Sequence, residues 1–521
     1  MPRNCTIFLV LTFALCYNAA RILVVIPTPS LSHQVVFYPL TQELAKRGHE
    51  VVVITTDPAF AKGEEPPHLT EIDIHDTTYK IFRKELGVSK MGSADDIYDQ
   101  LNVAYKALSK SFGKAMETDD VQNLLRHDEN YFDLIMVEAI VSPAVIFSHF
   151  FKAPVISISS LGAPFGAHVA SGAPIHPLLY PNIHLPKIYN LTIWDKKIQL
   201  WKAFQLESLV ANCDILNNNL LRKMAGADVP TLQELTQNIH MTFLNVHPMW
   251  VDNQPVPPNV ILLGGLHIAE NYKIQRNPEI AQTLKLYLDS SKHGVVYMSL
   301  GTNIQLSQLG SKTIEMFFKV FRELPYNFVV KCDMENKSLP ENIRLVKWVP
   351  QSNLLKHPKV KLFITQCGLQ STDEAIVAGV PVIGLPMFAD QFYNSEKYLK
   401  HKIGLKYEIK YLTAETLKNA ITTVIKDECY RKNIIKLRLL MYDKPQTSLE
   451  RAIWWTEHVL RHGGAKHLRA PAANMSWAES FELELVLIFI VTLLFLIALI
   501  FICLYYSYMF VSKKNMNYKE E

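Results

Sequence analysis

Short apolar, β-branched runs alternate with longer amphipathic ones along most of the chain, a rhythm that predicts parallel sheets covered by helices. Ile22–Ile26 is a continuous apolar run of strand length, followed by helical spacing over His33–Arg47 and by Gly48 as a helix stop. Val51–Thr55 and Leu134–Val137 read as the next strands. The rhythm resumes with a strand at Val295–Leu300, a helix over Lys312–Leu324, and strands at Phe328–Lys331 and Leu362–Thr365. A helix over Ser371–Ala378 and a strand at Val382–Leu385 follow. Between the two series lies Asn253-Gln-Pro-Val-Pro-Pro-Asn259, which neither a helix nor a central strand tolerates. Two Rossmann-like parallel-sheet domains, 21–255 and 256–440, are therefore expected to face each other across a cleft, with helices and a stalk over 441–484.

The hydrophobic pattern at the two ends is different. Residues 1–20 read as a signal peptide, with Arg3 in the basic region, an apolar stretch from Ile7 to Leu15, and Ala19-Ala20 at the exit. Leu485–Tyr506 is an apolar stretch with Thr492 as its clearly polar side chain, long enough for about 30 Å of hydrocarbon. Trp477 and Phe481 before it, and Tyr505, Tyr506 and Tyr508 at its far end, suit the two membrane interfaces. Glu479, Glu482 and Glu484 precede the span and Lys513 and Lys514 follow it, which predicts a single-pass type I topology with a cytosolic tail over 507–521. The endoplasmic reticulum is the expected membrane, although Lys519 lacks the second lysine of a full retrieval signal. Asn190, Asn336 and Asn474 each open a glycosylation sequon on the luminal side. The luminal cysteines Cys213, Cys332, Cys367 and Cys429 allow three pairings, and the sequence does not choose among them.

Composition narrows the class. The 521 residues carry a net charge of +4, with 49% hydrophobic and 20% charged positions, which excludes a disordered chain. With no basic stripe, nucleic-acid binding is disfavoured, and seven cysteines do not make a disulfide scaffold.

In parallel sheets, ligands sit at the carboxyl ends of strands, so those loops carry the chemistry. After the first strand come Pro27-Thr-Pro-Ser-Leu-Ser-His33, with Ser32 as the expected N-cap and His33 in the first helical turn. Glu138 follows Leu134–Val137 and should emerge at the same edge. A carboxylate on one imidazole nitrogen fixes the tautomer and stabilises the cation formed on proton uptake, so His33 and Glu138 are a candidate base and its partner. In the second half, Phe363-Ile-Thr-Gln-Cys-Gly-Leu-Gln-Ser-Thr-Asp-Glu374 is a strand, a turn and a helix N-terminus, an arrangement suited to a diphosphate. Glu374 could accept bonds from a ribose, Asp390 and Gln391 could hold sugar hydroxyls, and Trp348 offers a flat face to a base. The plainer alternatives are a helix-dipole partner for Glu374, an N-cap for Asp390 and a core side chain for Trp348. No GxGxxG or P-loop pattern is present. His458 and His462 stand at i, i+4 without an obvious third ligand, so no metal site is expected.

The segment from Trp348 to Gln391 resembles the donor-binding signature of the UDP-glycosyltransferases, the family that includes the UDP-glucuronosyltransferases, and is most similar to its insect branch. Leu263-Gly-Gly-Leu-His267, Ser299-Leu-Gly-Thr302 and Gly464-Ala-Lys-His-Leu-Arg469 extend the resemblance over the whole chain. It implies a GT-B fold, transfer with inversion, no cofactor and no metal, with UDP-sugar as co-substrate. His33 is then the base. Trp348 and Gln351 face the uracil, Gln366, Gly368, Gln370 and Ser371 line the diphosphate with Thr302, Glu374 binds ribose, and Asp390 and Gln391 bind the sugar. Three positions depart from the family pattern: Gln366 for His, Gln370 for Asn, and Glu138 for Asp. The implied reaction moves a hexose, glucose rather than glucuronate, onto a small lipophilic hydroxyl compound such as a phenol, a steroid-like alcohol or a plant toxin, a detoxification chemistry. The rival from another class is a membrane-anchored binding protein using the same cleft without turnover. Self-association is left open.

Overall fold

The computed structural model of the protein describes residues 19–86, 91–164, 166–269, 272, 280–334 and 339–517. Most of the expected signal peptide (1–18), Asn336 and the end of the tail (518–521) lie outside the described residues.

The first sheet contains β1 (Arg21–Ile26), β2 (Glu50–Thr55), β3 (Leu69–Asp73), β4 (Leu134–Glu138), β5 (Val155–Ser159), β6 (Ile239–Leu244) and β7 (Val260–Leu262), in the spatial order β3-β2-β1-β4-β5-β6-β7. The second contains β8 (Val295–Ser299), β9 (Asn327–Lys331), β10 (Ile343–Val346), β11 (Val360–Thr365), β12 (Val382–Gly384) and β13 (Gly404–Lys406), ordered β10-β9-β8-β11-β12-β13. Every strand pairing is parallel. Helices cover both faces, so the central strands are apolar throughout: Ile22 to Ile26 in β1 and all of β8 are buried. Each such Val or Ile contributes roughly 1.5–3 kcal/mol through burial.

Both sheets reverse their order at one point, between β1 and β4 in the first and between β8 and β11 in the second. Such switch points leave a crevice at the strands' carboxyl ends. His33 and Glu138 flank the first, and the loops Ser299–Thr302 and Gln366–Ser371 flank the second.

The Pro-rich run does not separate the domains. It leads into β7, which pairs with β6, so the first sheet extends past the expected boundary at residue 255 and the chain crosses after Leu262. Proline excludes the run from a strand without preventing it from connecting two. The helix Ser448–Arg461 then returns to the first domain, where Leu449, Ala452, Ile453 and Val459 join the core beside β1.

At the C-terminus, Leu483–Asn517 is one continuous helix, and its portion Leu483–Ser512 has the length and apolarity of a membrane span, with none of it buried against the rest of the chain. It is longer than the expected 485–506 because a helix does not stop where apolarity does. Cys213, Cys332, Cys367 and Cys429 are all free thiols, so none of the three pairings is formed.

Candidate active site

The helix that carries His33 starts two residues earlier than expected. It runs Leu31–Lys46 with Ser30 rather than Ser32 at the N-cap, and the Ser30 side chain makes no capping bond. The two serine hydroxyls bond each other at 3.0 Å instead. The entry loop is held from below by Gln34, a fully buried side chain whose Nε2 donates to the carbonyls of Ile26 (3.0 Å) and Thr28 (2.8 Å) and whose Oε1 accepts from Thr55 Oγ1 (2.7 Å). An amide satisfied at both ends fixes the strand-to-helix turn, and with it the direction of His33.

His33 Nδ1 lies 2.7 Å from Glu138 Oε1. The carboxylate is fully buried while the imidazole is 14% exposed, so Glu138 stands behind the ring and Nε2 is left toward the cleft. The second carboxylate oxygen accepts from Thr28 Oγ1. Glu138 is thus gripped on both oxygens at the end of β4.

A cavity of about 650 Å³ opens in front of His33, between the two domains. On the N-terminal side its wall is apolar, with Phe82, Leu86, Met91, Leu101, Leu108 and Ile140. On the C-terminal side it is lined by Thr302, Trp348, Gln351, Gln366, Gly368, Gln370, Ser371, Glu374, Asp390 and Gln391. Every residue expected on the donor side therefore reaches the same cavity.

Glu374 accepts from Gln351 Nε2 at 2.6 Å, and the same nitrogen lies 2.9 Å from Ser371 Oγ. Gln351 Oε1 in turn accepts from the hydroxyl of buried Tyr297 at 3.1 Å. The carboxylate is thereby tied to the start of the neighbouring helix Gln351–Leu355 rather than left to its own helix. Burial pushes its pKa up to about 7, against the pull of the Gln351 bond. Asp390 precedes the helix Gln391–Lys400 but makes no capping bond. Its Oδ2 accepts from Asn394 Nδ2 at 2.8 Å, and burial raises it to about 6, partly offset by Asn394 and by His33 across the cleft. Trp348 is half-buried on the cavity wall rather than in a core cluster.

Gln391 Oε1 accepts from the backbone N–H groups of Met387 and Phe388, both at 2.9 Å, which closes the loop and leaves the amide's donor end for a ligand. Gln366 packs against Gly301: a Cβ there would sit 1.9 Å from Gln366 Nε2, and Gly301 has φ +83°, so only glycine fits that turn. Gln370 reaches beyond its own domain. Its Nε2 donates across the cleft to the carbonyl of Ser160 at 3.0 Å. Asn303 makes a second crossing, donating to Ser30 Oγ at 3.0 Å.

Sequence reasoning missed Thr28 and Ser160, which touch Glu138 and His33, because a lone hydroxyl beside a strand end carries no pattern. Elsewhere, His467 joins His458 and His462, with ring centroids 5.6 and 6.1 Å away. Among the described residues no group of three has the geometry to hold a metal ion. Asn190 is exposed at a turn, whereas Asn474 Nδ2, the atom to which a glycan would attach, is buried without a partner.

The family described as UDP-glucoronosyl and UDP-glucosyl transferase matches residues 20–518. An ecdysteroid UDP-glucosyltransferase of Spodoptera littoralis nuclear polyhedrosis virus is 36% identical, over 94% of this chain and 97% of its own. UDP-glucosyltransferase 2 of Dactylopius coccus is 29% identical, over 91% of this chain and 90% of its own. Among solved structures, an Arabidopsis thaliana protein complexed with UDP-L-rhamnose superposes with a TM-score of 0.56 at 17% identity, covering 85% of this chain and 99% of that one. The glycotransferase of kitacinnamycin gives 0.56 at 18%, covering 84% and 98%. These structural likenesses establish the two-domain GT-B fold.

Proposed function

The chain belongs to the UDP-glucoronosyl and UDP-glucosyl transferase family, as an insect-type UDP-glycosyltransferase, and from that premise we propose an inverting glucosyl transfer to a small lipophilic alcohol with His33 as the base. The observation that carries this reading is the 2.7 Å contact of His33 Nδ1 with a buried carboxylate, at the mouth of the interdomain cavity.

In this mechanism the acceptor enters along the apolar wall and places its hydroxyl against His33 Nε2. The imidazole takes the proton as the oxygen attacks the anomeric carbon from the face opposite UDP. The new C–O bond forms while the bond to the β-phosphate oxygen breaks, and UDP leaves with that electron pair. Glu138 stabilises the imidazolium without taking its proton. Negative charge developing on the diphosphate meets the N-terminus of the helix Leu369–Ala378, where Gly368 and Ser371 stand, with Gln366, Gln370 and Thr302 around it. That positive field does the work a metal would otherwise do. Trp348 stacks on the uracil beside Gln351, Glu374 accepts from the ribose, and Asp390 and Gln391 grip the sugar hydroxyls. An ionised Glu374 is the better ribose acceptor, so donor binding strengthens as pH rises through about 7.

The viral relatives are named as ecdysteroid UDP-glucosyltransferases, and a steroid-like alcohol suits the apolar wall of the cavity beside His33. A binding protein without turnover would have no use for a buried carboxylate gripped behind an imidazole.

The enzyme is proposed to sit in the endoplasmic reticulum membrane by its C-terminal helix, with the catalytic domains luminal. The stalk before that helix lies on the first domain, where Asn474 N donates to the carbonyl of Val169 at 2.8 Å.

His33→Ala tests the reading. Turnover should fall by about 10²–10⁴-fold, while UDP binding measured by calorimetry is unchanged. Undiminished turnover refutes the base assignment.

A further inference from the structure

Ser160 follows β5 and is 2% exposed, at the bottom of the cleft and outside the set of residues that line it. Its Oγ lies 2.8 Å from His33 Nδ1 and 3.5 Å from Glu138 Oε1. The nitrogen that the carboxylate orients is therefore shared between two oxygens. When His33 is neutral with its proton on Nδ1, that N–H is held by Glu138 and Ser160 together. When Nε2 takes up the acceptor's proton, the ring becomes a cation, and a hydrogen bond to a charged group is worth more than one to a neutral group. Ser160 thus contributes most at the moment the proton is transferred.

The position of this hydroxyl is fixed from three sides. Within its own turn, Ser159 Oγ donates to the carbonyl of Gly162 at 2.7 Å and accepts from Leu161 N at 3.2 Å. From the first domain, Asn245 Nδ2 donates to the Ser160 carbonyl at 3.3 Å. From the second domain, Gln370 Nε2 donates to the same carbonyl at 3.0 Å. Gln370 belongs to the first turn of the helix Leu369–Ala378, on the donor wall. One residue thus touches the base through its side chain and the donor domain through its backbone.

We propose that Ser160 is a positioning residue for His33, holding the imidazole for proton transfer and fixed in place by the donor domain through Gln370. The proposal rests on His33 being the general base.

The test compares acceptors that differ in how much they need a base. Full-length enzyme in membranes is assayed with UDP-glucose and either a saturated steroid alcohol or 4-nitrophenol, an acidic phenol that is already partly ionised at neutral pH. Ser160→Ala should lower kcat with the steroid alcohol by roughly 5- to 10-fold, the margin by which a hydrogen bond to a charged group exceeds one to a neutral group. With 4-nitrophenol the loss should stay within about threefold, and KM for UDP-glucose within about twofold in both assays, as expected when the lost interaction is one that strengthens in the transition state. Ser160→Thr, which keeps the hydroxyl, should restore the alcohol reaction, and retained UDP binding shows that each variant is folded. Equal losses with both acceptors, or a full-rate Ser160→Ala with the alcohol, overturn the proposal. His33→Ala in the same assays reports on the underlying reading: if it shows no dependence on acceptor acidity, the base assignment fails whatever Ser160 does.

Discussion

Shortening Glu138 to aspartate asks whether the carboxylate must be where it is. The change withdraws the carboxylate by one carbon–carbon bond, about 1.5 Å. Added to the present 2.7 Å contact, this places the nearest oxygen about 4 Å from His33 Nδ1, outside the ~3.2 Å limit of an N–H···O bond. The grip of Thr28 on the other oxygen is lost in the same step. A hydrogen bond to a charged group contributes about 1.5–3 kcal/mol, so kcat should fall about 10- to 150-fold. Glu138 does not line the cavity, so KM for UDP-glucose should stay within about twofold. Glu138→Gln keeps the reach but removes the charge that stabilises the imidazolium, and its kcat should fall by about 10²-fold or more. Initial rates with UDP-glucose and a steroid alcohol measure both variants. An aspartate variant at full kcat would refute the reasoning, since it would mean that neither the 2.7 Å contact nor the Thr28 grip matters to the proton transfer.

Three further outcomes follow from the geometry. Asp373 is 4% exposed, its Oδ2 has no partner, and burial with Glu374 beside it pushes it from 3.8 to about 8. The folded state therefore keeps a proton that the unfolded chain has released. Its stabilising effect is fully present below about pH 4 and is lost at about 1.4 kcal/mol per pH unit up to about 8. Asp373→Asn should thus gain on the wild type steadily across that window in denaturant titrations; parallel curves would contradict this. Gly301→Ala must displace Gln366 from the diphosphate side, so KM for UDP-glucose should rise on the order of tenfold, one hydrogen bond's worth, with thermal stability showing whether the fold is kept. A chain ending at Glu482 should be extracted by alkaline carbonate while the full chain, carrying the apolar helix Leu483–Ser512, stays in the membrane.

Strand ends proved the most legible feature in the sequence. A parallel strand buried on both faces is written as a short apolar run, and the polar residue that ends it stands at the cleft edge of the sheet. Glu138 closing β4 and Gln366 after β11 were both readable that way. The polar wall of the cavity was readable because most of it is nearly contiguous in sequence, from Trp348 to Gln391. What spans the two domains was not. The Gln370–Ser160 contact joins residues 210 positions apart and the Asn303–Ser30 contact residues 273 apart, and no periodicity marks either partner. The Pro-rich run misled about the boundary because proline reports where a strand cannot be, not where a domain ends. The long helix Ile193–Ala225 also escaped notice, because its buried stripe of Leu206, Leu209, Cys213 and Leu221 is blurred by apolar residues exposed on its other faces. It buries Gln199 and Asn217 while Trp194 and Trp201 are 68% and 60% exposed, so helical spacing of apolar residues had little to show.

The most direct test of the account is the structure of the product. Membranes bearing the full chain are given a steroid alcohol with equal UDP-glucose and UDP-glucuronate, and the product is analysed by mass spectrometry and by the anomeric coupling in its proton NMR spectrum. The account predicts one added hexose in β linkage, formed from the α-linked donor and absent with His33→Ala. An α-linked glucoside would contradict single-step inversion, and a product bearing glucuronate would contradict the donor.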